Sequence, residues 1–158
     1  VVTFSMEPKD ENILKEKFEE SNNYLLDFKM FRHIILLAIP MMIGTLVLFS
    51  QYYAMDITKA WTISLTTLAA FNWLNAWNVR SGSKSLFRTN PFENKFLLLA
   101  TFIVIGLQLF AIYNPAMQTY LKTTALNFQD WMLIVPIAFS IVVVEEIRKF
   151  FYRRNHKK

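Results

Sequence analysis

The chain has 158 residues, no cysteine and a formal net charge of +5. Apolar residues make up 54% of it and charged residues only 18%, below the roughly 25% of an ordinary soluble domain. That composition excludes a disordered tail, a disulfide-built secreted module and cysteine-based metal or redox chemistry.

In chain order, residues 1–33 hold seven of the twelve acids and no long apolar run, which predicts a cytoplasmic loop with a polar surface helix over Asp10–Asn22. Residues 34–158 read as a membrane domain. Ile34–Tyr53, Ala60–Val79 and Phe96–Pro115 are each 20 residues without a charge. A helix rising about 1.5 Å per residue needs about 20 residues to cross a core of about 30 Å. The fourth stretch, Trp131–Val144, has 14 uncharged residues and reaches the same length if its helix runs on through Glu145 and Glu146 to about residue 151. The reading is an all-α membrane protein with four transmembrane helices, at about 34–53, 60–79, 96–115 and 131–151.

The basic residues divide by side. Fifteen fall before the first stretch, between the second and third, or after the fourth, while only Lys59 and Lys122 fall in the other two connections. The positive-inside rule then puts both termini and the middle loop in the cytoplasm of a multi-pass protein, with a cell membrane as its location. The lipid bilayer is the partner this layout implies, and nucleic acid is not. Tyr52, Tyr53 and Trp61 bracket one outer connection, and Tyr113 and Trp131 the other, as interfacial aromatics do.

Within the spans, the second is the most polar. Asn72, Asn75 and Asn78 recur at three-residue spacing and line a broad helix face. Their amide oxygens suit either interhelical hydrogen bonds or, at Asn72 and Asn75, ligation of a hard cation such as Na⁺ or Ca²⁺. Gln108 sits in the middle of the third span, where it would bond across helices. Glu145 and Lys149 stand at i,i+4 and read as a juxtamembrane charge pair or, alternatively, as part of an ion relay. Pro40 and Pro136 lie inside spans and free a backbone carbonyl each. His33 and His156 are far apart, so no metal site is expected. With three Gly in the chain, no phosphate-cradling loop can be written, and no catalytic residue is assigned.

Four strings carry a family resemblance. Met6-Glu7-Pro8-Lys9-Asp10-Glu11-Asn12-Ile13 resembles the cytoplasmic loop after the sixth membrane helix of type II P-type cation-transporting ATPases. Phe71-Asn72-Trp73-Leu74-Asn75-Ala76-Trp77-Asn78-Val79-Arg80-Ser81, with Lys84-Ser85-Leu86-Phe87, resembles the end of their eighth helix and the loop behind it. Gln108-Leu109-Phe110-Ala111-Ile112-Tyr113-Asn114-Pro115 resembles the outer end of the ninth. Asp130-Trp131 and Glu145-Glu146-Ile147-Arg148-Lys149 resemble the two ends of the tenth. Ala69 departs from the pattern, since many members carry an acid or amide there.

The resemblance implies helices seven to ten of a calcium- or sodium/potassium-type pump, present as a fragment. The chain would be the support bundle beside the moving helices. Its partners would be the remaining helices and cytoplasmic domains of the parent ATPase and the transported cation. ATP and Mg²⁺ would serve the parent, because the phosphorylation motif and nucleotide site are not in this sequence. The alternative is a free-standing four-span protein that acts as a partner-binding subunit or a small channel or carrier.

Overall fold

A computed structural model describes residues 28–81, 86, 92 and 94–155. The surface helix expected over Asp10–Asn22 lies outside the described residues. Five helices follow one another: α1 Phe28–Tyr53, α2 Ile57–Arg80, α3 Lys95–Tyr113, α4 Pro115–Leu121 and α5 Phe128–Asn155.

Their ends are written locally. Asp56 caps α2, its carboxylate accepting from the N–H groups of Thr58 and Lys59 at 2.8 and 3.1 Å. Asn94 caps α3 through the N–H of Leu97. The third apolar stretch runs to Pro115, but α3 stops at Tyr113. Asn114 turns extended there and caps α4, accepting from Ala116 and Met117, with Pro115 in the first helical turn where its missing N–H costs nothing. Lys122 ends α4 at φ 51°, in the left-handed region. α5 starts at Phe128, and the Asp130 carboxylate in its first turn accepts from the Asn127 N–H. It spans 28 residues, about 42 Å at helical rise, and carries Pro136 within it.

The three-residue link between α1 and α2 makes them antiparallel. Ion pairs at both ends of α5 set it alongside both, parallel to α2 and antiparallel to α1. These three helices enclose the core of Leu37, Leu48, Ile63, Phe71, Ile134, Ile141 and Val142. The helix α3 lies antiparallel on the outside of α2, tied by Gln108 Nε2 donating to Thr66 Oγ1 at 3.2 Å. The α4–α5 connection closes over one end. Thr124 N–H donates to Thr62 Oγ1, and Tyr113 OH donates to the Leu126 carbonyl while accepting from Trp131 Nε1.

The polarity of the bundle is reversed relative to a water-soluble one. Thr62, Thr66, Thr67, Asn78, Ser81, Asp130, Glu145 and Lys149 are buried. Ile35, Ile39, Ile43, Leu99, Ile103, Leu107, Val135 and Phe139 face outward. Helix hydroxyls in α2 are satisfied within the helix: Thr62, Ser64, Thr66 and Thr67 each donate to the carbonyl four residues back. Among the described residues, Met30–Tyr53 and Lys95–Tyr113 are long and apolar enough to cross a membrane by length and composition. Helix α2 is diluted by its Thr and Asn residues and α5 by the charges after Val144.

Gly44 sits where α1 crosses both partners. A Cβ there would lie 2.6 Å from Ile137 Cγ2 and 3.1 Å from Phe71 Cζ. Gly44→Ala should therefore force the three helices apart and destabilise the bundle by about 1–3 kcal/mol. Gly106, which has no neighbour within 4 Å of an added Cβ, should accept Ala without loss. Thermal unfolding of the two variants checks the contrast.

Candidate functional site

The buried charges gather at the two ends of the three-helix core. At the end where α1 starts and α2 finishes, Glu145 and Lys149 of α5 are 2% and 1% exposed. The Lys149 ammonium donates to the Asn78 carbonyl at 3.1 Å and to Ser81 Oγ, and it lies 4.0 Å from Glu145. It thus caps the C-terminus of α2 from another helix, where carbonyls lack intrahelical donors and the helix dipole favours a cation. Glu145 receives a two-pronged grip from Arg148, with Nε at 2.9 Å and Nη2 at 2.6 Å, and a bond from His33 Nε2 of α1 at 2.9 Å. Glu146 reaches out of the core to accept the Leu86 N–H at 2.7 Å. One turn and a half of α5 therefore holds α1, the end of α2 and the loop beyond it.

The opposite end is tied by Asp130, 2% exposed. Its carboxylate pairs with Lys59 of α2 at 3.0 Å and accepts from Tyr52 OH of α1 at 2.9 Å. Lys59 also lies over the Tyr52 ring, 5.0 Å from its centroid. Burial by itself would raise the acid's pKa. The Asn127 N–H, Lys59 and Tyr52 outweigh it and hold the carboxyl below its ordinary range.

The asparagines of α2 are not brought to one point. Asn72 is exposed and its amide donates to the Leu68 carbonyl of its own helix at 2.8 Å. Asn75 is half-buried with Oδ1 unpartnered, and Asn78 is buried with both amide atoms unpartnered. Gln108 meets Thr66, away from all three. Among the described residues no group of three or more His, Cys, Asp or Glu side chains gathers to hold a metal.

The structure buries the Glu145–Lys149 pair that the spacing placed as a juxtamembrane pair. It also adds His33, Ser81 and the Asn78 carbonyl, which sequence spacing does not connect because they come from other helices. The Lys59–Asp130 pair had one legible signal. They are opposite charges flanking two apolar stretches on the same, otherwise charge-poor side.

Apolar helices turned outward around an interior of hydroxyls, amides and paired charges define the class of an integral membrane bundle. The chain belongs to the family described as "Cation transporting ATPase, C-terminus", whose model matches residues 1–151. It is 26% identical to calcium-transporting ATPase 1 of Saccharomyces cerevisiae over 99% of this chain and 17% of that protein. It is 32% identical to a calcium-transporting ATPase of Plasmodium falciparum over 68% of this chain and 9% of that protein. It is 28% identical to calcium-transporting ATPase 2, endoplasmic reticulum-type, of Arabidopsis thaliana over 65% of this chain and 10% of that protein. The chain thus spans less than a fifth of the length of these relatives.

Two outcomes test the ends of the bundle. Lys149→Met should cost about 3 kcal/mol or more, because it leaves Glu145 with less compensating charge, removes the donor to Ser81 Oγ and leaves the Asn78 carbonyl with Ser81 Oγ alone. Equilibrium unfolding in detergent measures it. The depressed pKa of Asp130 adds stability that is fully present above the ordinary carboxylate value of about 3.9 and lost as pH falls through the lower folded value. The stability difference between the wild type and Asp130→Asn should accordingly be constant near neutrality and shrink below about pH 4.

Proposed function

We propose that this chain is the C-terminal membrane portion of an ATP-driven calcium pump, and that it acts as the supporting helix bundle. The observation that carries the reading is the family match over residues 1–151 together with relatives whose names say that they transport calcium. In this reading α1, α2, α3 and α5 all span the bilayer. The end holding His33, Glu145 and Lys149 is cytoplasmic, with both termini, and residues 1–33 form a cytoplasmic loop. The endoplasmic reticulum-type relatives make an internal membrane as good a location as the cell surface. ATP, Mg²⁺ and the phosphorylated site belong to the rest of the polypeptide.

A supporting role is favoured over ion coordination by the state of the α2 amides. Asn72 is exposed while Asn78 is buried, so the α2 amides do not converge, and among the described residues no group of three or more His, Cys, Asp or Glu side chains gathers to hold a metal. The interior charges are engaged in tying helices to each other. A bundle locked at both ends by buried ion pairs is suited to stay still while neighbouring helices move.

The absence of cysteine makes the topology directly testable. Single cysteines at Met55 and Lys122 should react with an impermeant thiol reagent from one side of sealed vesicles, and those at Phe92 and Asn155 from the other. Labelling of Phe92→Cys and Met55→Cys from one side would overturn four spans. In the complete pump, Asn72→Ala and Asn75→Ala should leave calcium affinity within about twofold, because neither contributes a ligand. Lost affinity with intact folding would return these amides to the ion site.

A further inference from the structure

Beside the Glu145 cluster is a half-open cavity of about 330 Å³ lined by His33, Asn78, Glu145, Arg148, Lys149 and Tyr152. It is lined from three helices and shares its walls with the residues that tie them together, while the supporting role leaves the open space between them unassigned. We propose that it is a binding site for the phosphate of an anionic phospholipid headgroup in the cytoplasmic leaflet.

Three features of the wall point to a phosphate. First, Lys149 and Arg148 against Glu145 leave one positive charge in excess, before His33 is counted. Second, donors remain unspent. Arg148 has five N–H groups and spends two of them on Glu145, and the ring nitrogen of His33 opposite Nε2 has no bond among the described residues. A guanidinium already fixed by a carboxylate presents its remaining edge in one orientation, as phosphate oxygens require. Third, Asn78 is 1% exposed and neither of its amide atoms has a partner. A buried amide left without bonds costs about 1–3 kcal/mol, and an acceptor beside Nδ2 would recover the donor half of that cost.

The surroundings favour a lipid over a free anion. The rim carries exposed Val79, and Ile34 next to His33 is exposed as well, so acyl chains have apolar surface on which to lie. On the four-span reading, on which this inference rests, the cavity is at headgroup depth on the side that holds fifteen of the seventeen basic residues. Juxtamembrane basic residues draw anionic lipid to that surface, and the cavity would hold one molecule of it in a defined pose.

The test uses the chain in nanodiscs of phosphatidylcholine and phosphatidylserine in equal parts, with the lipid retained through detergent exchange measured by mass spectrometry. The wild type should keep phosphatidylserine several-fold over phosphatidylcholine. Asn78→Leu and Arg148→Lys should each lower that preference about tenfold, with helix content by circular dichroism unchanged. If Arg148→Lys does not fold, Asn78→Leu alone decides, since it leaves the Glu145 ion pairs in place. Equal retention of the two lipids, or a folded Asn78→Leu that keeps the preference, would overturn the site. Thermal protection by inorganic phosphate equal to that by phosphatidylserine would assign it to a free anion and overturn the lipid. Release of the chain from membranes by alkaline carbonate would instead defeat the four-span reading, separately from any lipid preference.

Discussion

The ammonium of Lys149 is buried at one end of the three-helix core and is kept there by the open end of another helix. Its bonds go to the Asn78 carbonyl and Ser81 Oγ, at the point where α2 runs out of its own N–H donors. Removing a charge from water is expensive, and only a dense set of partners offsets it. That requirement brings α5 against the end of α2, sets Glu145 one turn before Lys149, and lets Glu145 take Arg148 and His33. The registers of α1, α2 and α5 at this end all follow from satisfying one cation and one carboxylate. A buried pair of this kind is weak evidence for extra stability, but here it specifies which helix ends meet.

Asp130 does the equivalent at the far end with Lys59 and Tyr52. Between the two ties the helices touch through Phe71, Ile141 and Val142 and through the close approach at Gly44. Among the described residues the helix α3 has no ion pair into the core. It rests on α2 by Gln108, and most of its apolar surface faces outward. The molecule is therefore a locked three-helix unit with a fourth long helix at its edge. This distribution ties α1, α2 and α5 together and leaves broad apolar faces on the outside.

Much of this was legible in the residues. The long uncharged runs fold as helices, and two of them are long and apolar enough to cross a membrane, because hydropathy and length act on each segment alone. The helix boundaries were less legible. Asn114 ended α3 earlier than the apolar run suggested, because a side-chain cap followed by proline overrides hydropathy. The asparagines of α2 show the limit most plainly. Three-residue spacing put Asn72, Asn75 and Asn78 on a shared broad face, yet one is exposed, one half-buried and one fully buried, since packing against α1 and α5 decides which part of the face is enclosed.

The sequence by itself determined an all-helical chain and the family strings, because each depends on local composition and order. Tertiary structure alone decided that Glu145 and Lys149 are interior residues, that His33 completes their cluster, and that Lys149 caps α2 from 68 residues away. The physical reason is that a charge's environment is set by what folds over it. Spacing along one helix reveals the i,i+4 neighbour, but not the carbonyl of another helix that makes burial tolerable.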